Sequence, residues 1–164
     1  MRCFLFFLIL FTGLFVNSFG QTILIGKSKS SAAVWLKGDF RKLKYNIAQT
    51  DTSYMLTTAD SSISKVSVYC TFNKKGDCIS QKISFDCDSC YQKDLKLMLS
   101  RKNLEWSPIP SEKYLSKYAK HLLLIYNEKN RYYILKFIDI NEAEYERLLT
   151  GKHLPAFAPA LTER

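Results

Sequence analysis

The clearest pattern in the chain is a two-residue alternation of apolar and polar side chains over residues 65–86, interrupted by a polar turn at 73–76. This period indicates strands with one buried face, and Gly76 indicates a β-hairpin because glycine reaches a positive φ without strain. The apolar positions are Val66, Val68, Cys70 and Phe72 before the turn and Ile79, Ile83 and Phe85 after it. A loop over 73–76 or 75–76 keeps both apolar sets on one side, so we expect an even loop.

Further periodic segments predict three helices and four more strands around this hairpin. The helices are expected over 31–37, from 89 to about 102 and over 141–150, and the strands over 43–48, 54–59, 121–126 and 131–138. The predicted caps are Ser28 or Ser30, the Ser89–Gln92 pair and the Asn141–Glu144 pair. Residues 111–120 fit either a helix or an ordered loop. Because strands and helices occur in blocks, we predict an α+β fold, an antiparallel β-meander with two to four helices packed on one face.

Residues 1–20 have the pattern of a cleaved export signal. Arg2 gives a positive start, an apolar run follows over 4–16, and small residues precede a predicted cleavage between Gly20 and Gln21. The run is shorter than the roughly 20 residues that span a bilayer, so we favour a signal peptide over a membrane anchor. We therefore predict a secreted or periplasmic protein. Its expected organisation is a signal peptide at 1–20, a single α+β domain at 21–151 and a loose C-terminal tail at 152–164.

Export would permit disulfides among the four cysteines that follow the signal, and strand geometry restricts their pairing. Cys78 and Cys87 are too distant along one strand, and Cys70 and Cys78 are expected to point to opposite faces. Cys87 and Cys90 flank a strand-to-helix turn, so we predict a disulfide between them or no bridge at all. A redox-active pair is the rival interpretation, but the two neighbouring aspartates disfavour a thiolate. Cys70 is expected to be a buried, unreactive thiol.

The chain is basic, with a formal net charge of +9, and much of that charge is concentrated between residues 27 and 44. The basic residues of this segment are Lys27, Lys29, Lys37, Arg41, Lys42 and Lys44. Such a segment could bind anionic lipid, lipopolysaccharide or an acidic partner, or it could simply be a solvated face. Nucleic acid is not expected as a partner of an exported protein.

No pattern in the sequence defines a catalytic centre. His121 and His153 are the two histidines, and neither shows the spacing of a catalytic triad or a metal site with the cysteines. The Gly26-Lys27-Ser28 tripeptide lacks the earlier glycine of a phosphate-binding loop. We therefore predict no cofactor, no metal and no catalytic residue.

Several short motifs resemble small exported bacterial modules. The segment Ile25-Gly26-Lys27-Ser28-Lys29 before a short helix is similar to the helix start of the outer-membrane-assembly lipoproteins (SmpA/OmlA) and of the β-lactamase-inhibitor-like group. Phe72, Gly76, Cys78 and Trp106 resemble a hairpin and a following tryptophan in uncharacterised secreted proteins of Bacteroidota. The chain lacks a lipobox and the Gly-x-Pro turn of the first group. The resemblance implies an interaction module without catalysis.

The leading functional hypothesis is therefore a non-catalytic exported protein that acts through protein or envelope interactions, with another envelope or secreted protein as the expected partner. Two alternatives remain open at this stage. One is a small extracytoplasmic enzyme, either a hydrolase or a thiol–disulfide enzyme using Cys87 and Cys90, whose site is assembled only by the fold. The other is a binder of an anionic surface or ligand through the basic segment 27–44. A deep pocket with convergent polar groups would favour the enzyme.

Overall fold

The structure is a computed structural model, and it describes residues 22–59 and 64–150. The three helices in this part of the chain are α1 (Lys29–Asp39), α2 (Asp88–Leu99) and α3 (Glu142–Leu149). The strands of the first half are β1 (Tyr45–Gln49), β2 (Ser53–Thr58), β3 (Val66–Phe72) and β4 (Cys78–Phe85). The strands of the second half are β5 (Trp106–Ile109), β6 (Lys113–Ser116), β7 (Leu122–Asn127) and β8 (Tyr132–Phe137).

The eight strands form one antiparallel sheet with the order β1-β2-β3-β4-β8-β7-β6-β5. Each half of the chain is a helix followed by a four-stranded meander, and the last strands of the two meanders pair with each other. The predicted α+β class and antiparallel hairpins are therefore confirmed. The prediction missed β5, and residues 111–120 contain the strand β6 rather than a helix or an ordered loop.

The main core lies between one face of the sheet and the helices α1 and α2. Alternate residues of β2, β3, β4, β7 and β8 point to this face, where they meet Leu36 of α1 and Leu95 and Met98 of α2. The expected apolar face of α2 is thus confirmed. Burial of this apolar surface is the dominant favourable term in folding.

Helix α3 packs on the opposite face of the sheet. Tyr145 is buried in a separate cluster with Leu115 of β6 and Leu123 of β7, whose neighbours Tyr114 and Leu124 face the main core. The prediction that all helices lie on one face is therefore wrong. The cause is local, because consecutive apolar residues in β7 give that strand two faces that both require cover.

The central hairpin has the predicted faces but not the predicted loop. Val68 pairs with Ile83, and Gly76 adopts a φ of 86°, as expected. However, the register shifts beside Phe72, which pairs with Cys78. This β-bulge buries Cys78 and leaves Ile79 42% exposed, so the prediction that Ile79 belongs to the apolar face is wrong.

Two of the three described helices begin with the predicted capping residue, and the third begins with a different one. The side chains of Ser28 and Asn141 accept hydrogen bonds from the backbone N–H of Ser31 and Glu144, as predicted. In α2 the cap is Cys87, whose sulfur accepts from the Cys90 N–H at 3.2 Å, so the predicted Ser89–Gln92 capping pair is wrong. A strand-to-helix turn closed by a disulfide places Cys87 where a serine usually stands.

Two predicted regions lie outside the described residues: the export signal with its cleavage point at Gly20–Gln21, and the C-terminal tail 152–164 with His153. None of the described helices is long and apolar enough to cross a membrane.

The attachment of α3 gives the first testable prediction. The Tyr145 hydroxyl donates to the carbonyl oxygens of Ser116 and Lys117, at the end of β6. Tyr145→Phe should lower the free energy of unfolding by about 1–3 kcal/mol, because it leaves the buried Ser116 carbonyl without this donor. Urea unfolding measures the change, and Tyr118→Phe is the control because Tyr118 is 68% exposed. Equal stability of the two variants would contradict the assigned anchoring role.

Candidate functional site

Among the described residues, the sheet face opposite the main core is only partly covered, and its uncovered part carries polar and aromatic side chains. We call this region, contributed by β2, β3, β4 and β8, the open sheet face. Its side chains are Met55, Thr57, Ser67, Tyr69, Thr71, Lys82, Ser84, Tyr132, Ile134 and Lys136. None of them is buried, and Met55 and Tyr69 are the most exposed. They are the alternate residues of strands whose other face forms the main core.

The strand register arranges these side chains in rows across the sheet. One row runs from Met55 through Tyr69 and Lys82 to Ile134, each residue directly opposite the next. Opposed side chains in an antiparallel sheet lie about 4.5–5.5 Å apart at Cβ, so the row is continuous. Met55 is 37% exposed and Tyr69 is 39% exposed.

The open sheet face also carries a positive charge held against an aromatic ring. The Lys82 ammonium lies 4.1 Å from the centroid of the Tyr132 ring. This is within the range of a cation–π interaction, which orients the lysine over the sheet. The surface therefore presents an ordered cation among hydroxyl and apolar groups.

An open groove lies on the other side of the sheet, between α2 and the strands β6 and β7. It has a volume of about 560 Å³. Its lining residues are Gln92, Lys93, Leu95, Lys96, Leu99, Tyr114, Tyr126 and Glu128. The Tyr114 and Tyr126 rings lie 5.8 Å apart and form its aromatic wall. Leucines and tyrosines supply half of these lining residues, and the charged groups belong to exposed side chains.

Most of the basic segment lies in α1 and in its connection to β1. Lys37, Arg41, Lys42 and Lys44 are exposed at the end of α1 and in the connection to β1. Lys27 lies 6.0 Å from the Trp35 ring, and the Lys29 ammonium donates to the carbonyl oxygen of Thr50. These two lysines therefore have specific contacts, while the others are solvated.

The pair Cys87–Cys90 forms a disulfide at the first turn of α2, as predicted, with a Cα–Cα distance of 5.3 Å. Both cysteines are half-buried. Because Cys87 is also the helix cap, the bridge and the cap fix the same turn. The adjacent Asp86 is tied down by Ser64, whose hydroxyl donates to it at 2.7 Å and lowers its pKa.

Cys70 and Cys78 lie together in the main core. Cys70 is fully buried, as expected, but the expectation that the two side chains point to opposite faces is wrong because the β-bulge turns Cys78 inward. The neighbouring Cys78 and burial raise the pKa of the Cys70 thiol, and the proximity of Cys70 lowers the pKa of Cys78. Cys78 also donates to the Ser80 carbonyl at 3.5 Å.

A buried carboxyl group joins α2 to the centre of the sheet. Asp94 accepts a hydrogen bond of 2.6 Å from the hydroxyl of Tyr133, and both residues are buried. Burial raises the pKa of Asp94 to about 6, while the bond from Tyr133 and the charge of Arg101 act in the opposite direction. The pKa of Tyr133 is raised well above its usual value, mainly by burial. The pair is a structural connection between helix and strand.

The other predicted candidates are scattered. His121 stacks on Phe137 and contacts the Tyr145 ring, so it packs against α3. Among residues 22–59 and 64–150, no group of three or more His, Cys, Asp or Glu side chains could hold a metal ion. The residues that sequence reasoning missed are those of the open sheet face, although the alternation that buried Val68 and Ile83 already placed Tyr69 and Lys82 on the other side.

Comparisons with protein-family models, with curated proteins and with solved structures found no significant match.

The disulfide gives the second prediction. Replacing Cys87 and Cys90 together by Ser should lower the free energy of unfolding only slightly, near the bottom of the range of about 0–5 kcal/mol, because the loop between them is very short. Chemical unfolding of the oxidised protein and the double variant measures the difference. An insulin-reduction assay tests the rival redox role, and turnover that disappears in Cys90→Ser would contradict a structural assignment.

The Asp94–Tyr133 pair gives the third prediction. A carboxyl group whose pKa is higher in the folded than in the unfolded protein stabilises the fold below its unfolded pKa, and this stability is lost as the pH rises through the folded pKa. Between pH 4 and pH 7, the free energy of unfolding of the wild type should therefore fall by up to about 3 kcal/mol relative to that of Asp94→Asn. Denaturant unfolding across this range measures the difference. A wild type that becomes more stable relative to the variant as the pH rises would contradict the raised pKa of Asp94.

Proposed function

We propose that the protein is a non-catalytic exported protein that binds another secreted or envelope protein through the open sheet face. The observation that carries this proposal is the incomplete cover of the second sheet face. Among the described residues, helix α3 packs over β6 and β7, while Met55 and Tyr69, in the rows formed by β2, β3, β4 and β8, remain exposed. A rigid sheet presents these side chains in fixed positions, so little conformational entropy is lost when a partner binds.

The chemistry of the open sheet face favours a protein partner. Aromatic residues and methionine are enriched at protein interfaces, where Tyr combines a large apolar area with a polar hydroxyl. Tyr69, Tyr132 and Met55 supply such groups, and Ile134 adds apolar area in the same row as Lys82. Serine and threonine side chains around them can form hydrogen bonds at the rim. We therefore infer an interface with an apolar and aromatic centre.

The charge distribution supports a partner that is neutral or acidic at the contact. Lys82 and Lys136 lie on the open sheet face. The described residues of this face include no acidic side chain. Complementary charge increases association rates and excludes partners of like charge. Interaction with a protein of the envelope or of the secreted fraction fits this surface better than turnover of a small substrate in the open groove beside α2.

Site-specific photocrosslinking tests the proposal. A photoreactive phenylalanine analogue replaces Tyr69 on the open sheet face or, as the matched control, Tyr118, which is exposed but lies outside it. In the native host, the Tyr69 position should give a discrete crosslinked product with one protein, and the Tyr118 position should not. Purified partner should bind Lys82→Glu about tenfold more weakly or worse. Equal crosslinking at both positions, or none at Tyr69, would overturn the assignment.

A further inference from the structure

We infer that the free edge of β1 binds an extended acidic segment of another protein, which pairs with β1 as a ninth strand of the sheet. This edge is a different surface from the open sheet face and is tested independently of it. The inference rests on three observations: backbone groups that point outward, an edge without the usual obstacles to pairing, and a basic surrounding.

The hydrogen-bond pattern shows which backbone groups of β1 point away from the sheet. Ala59 N–H donates to the Lys44 carbonyl at 2.8 Å, and Thr50 N–H donates to the Ser53 carbonyl at 3.0 Å. In an antiparallel pair, bonded and non-bonded positions alternate. Asn46 and Ala48 therefore direct their backbone groups to β2, and the N–H and C=O groups of the alternate residues point outward. These outward residues are Tyr45, Ile47 and Gln49, and none has a backbone partner on that side among the described residues.

The two edges of the sheet differ in their protection. Natural edge strands are usually blocked by Pro, by an edge Lys, by a bulge or by shortness. The β5 edge is four residues long and contains Pro108, which cannot donate a ladder hydrogen bond. In contrast, β1 is five residues long, contains neither Pro nor Lys, and pairs with β2 in unbroken register. The β1 edge is therefore competent to accept another strand.

The charge around β1 specifies the occupant. Lys44 directly precedes the strand, and Lys29 contacts the backbone of Thr50, which directly follows it. Arg41 and Lys42 are exposed in the connection from α1, whereas Asp51 is the acidic residue nearest in sequence to the end of β1. Positive charge at both ends of a strand favours an acidic segment along it. A second copy of this chain would bring the same basic flanks and be repelled.

The side-chain pattern of the occupant follows from the pleat. Ile47 points to the helix side of the sheet, because it pairs with the buried Leu56, yet it remains 41% exposed. Asn46 and Ala48 point to the opposite side. A segment with alternating residues can place apolar side chains beside Ile47 and acidic side chains on the other face. Main-chain hydrogen bonds would supply the affinity. The alternate side chains of the bound segment would supply the specificity, as in other cases of strand addition.

Binding of a defined peptide to the purified protein tests the inference. The probe is a fluorescein-labelled octapeptide of alternating Glu and Val, and the control peptide has Lys in place of Glu. Fluorescence anisotropy should show binding of the Glu–Val peptide and at least tenfold weaker binding of the Lys–Val peptide. Affinity should fall as salt is raised, because exposed charges are screened.

One substitution separates backbone pairing from simple charge attraction. Ile47→Pro removes an N–H that points to solvent and leaves the bonds from Asn46 and Ala48 to β2 in place, so the sheet is expected to persist. It should reduce binding of the Glu–Val peptide at least tenfold, whereas the control Ile47→Thr, which keeps the N–H, should change it less than threefold. In the wild type, amide hydrogen exchange provides a second readout: the Ile47 and Gln49 amides should exchange rapidly and become protected when the peptide binds.

Several results would overturn the inference. Binding of the peptide without protection of the Ile47 and Gln49 amides would show attraction by charge alone. Binding to vesicles containing phosphatidylglycerol but not to the peptide would identify the basic segment as a lipid contact. Dimerisation lost in Ile47→Pro would identify a second copy as the occupant, against the charge argument. Failure of the peptide to bind would also overturn the inference. It would not affect the proposal for the open sheet face, because crosslinking at Tyr69 is measured separately.

Discussion

The pairing of β4 with β8 is the constraint on which the rest of the structure depends. It is the contact that turns two four-stranded meanders into one sheet and creates a core wide enough for α1 and α2. Gln81, at the centre of β4, is fully buried and is opposite Leu135. Its side chain accepts from the Leu24 N–H and donates to the Thr22 carbonyl, both at 2.9 Å. A buried amide is tolerated because its two ends are satisfied.

The same junction fixes the position of α2. Tyr133 lies in β8 directly opposite Ile83 of β4, and its hydroxyl donates to Asp94 in the helix. The ring of Phe85 packs near both Tyr91 and Tyr133, which adds aromatic contact between the helix and the two central strands. The helix therefore depends on the strand junction for polar as well as apolar contacts. The open sheet face is the reverse side of this same junction.

The sequence predicted the parts of the fold that a two- or 3.6-residue period determines. Val66 to Phe72 and the helix containing Leu95 were found because each has one apolar face, whereas the strand ending near Tyr126 was found as a continuous apolar run. Strands β5 and β6 were missed because Pro108 and the polar residues around Tyr114 hide a short edge hairpin. The side of the sheet that α3 covers depends on long-range packing, although the consecutive leucines of β7 indicated two covered faces.

The candidate site was harder to predict than the fold, for a physical reason. Tyr69 and Lys82 are adjacent only because β3 and β4 pair in one register, and Ile134 joins them only through the β4–β8 pairing. The Cys87–Cys90 bridge was predictable because its geometry is local, whereas the neighbouring thiols of Cys70 and Cys78 depend on a bulge. For the basic segment, the sequence predicted the positive charge but not the contacts. The contacts with Thr50 and Trp35 form only in the folded chain.

The symmetric strand order also has a kinetic consequence. Every neighbouring pair in the sheet except β4–β8 joins strands that are consecutive in the chain. Consecutive strands close short loops, whereas pairing of β4 with β8 must close a long one. The conformational entropy of that long loop is lost before the contacts between β4 and β8 form. Each meander can thus assemble early, and docking of the two becomes the slow step. Changes in Ile83 or Leu135 should then slow folding, while changes far from the junction should mainly accelerate unfolding.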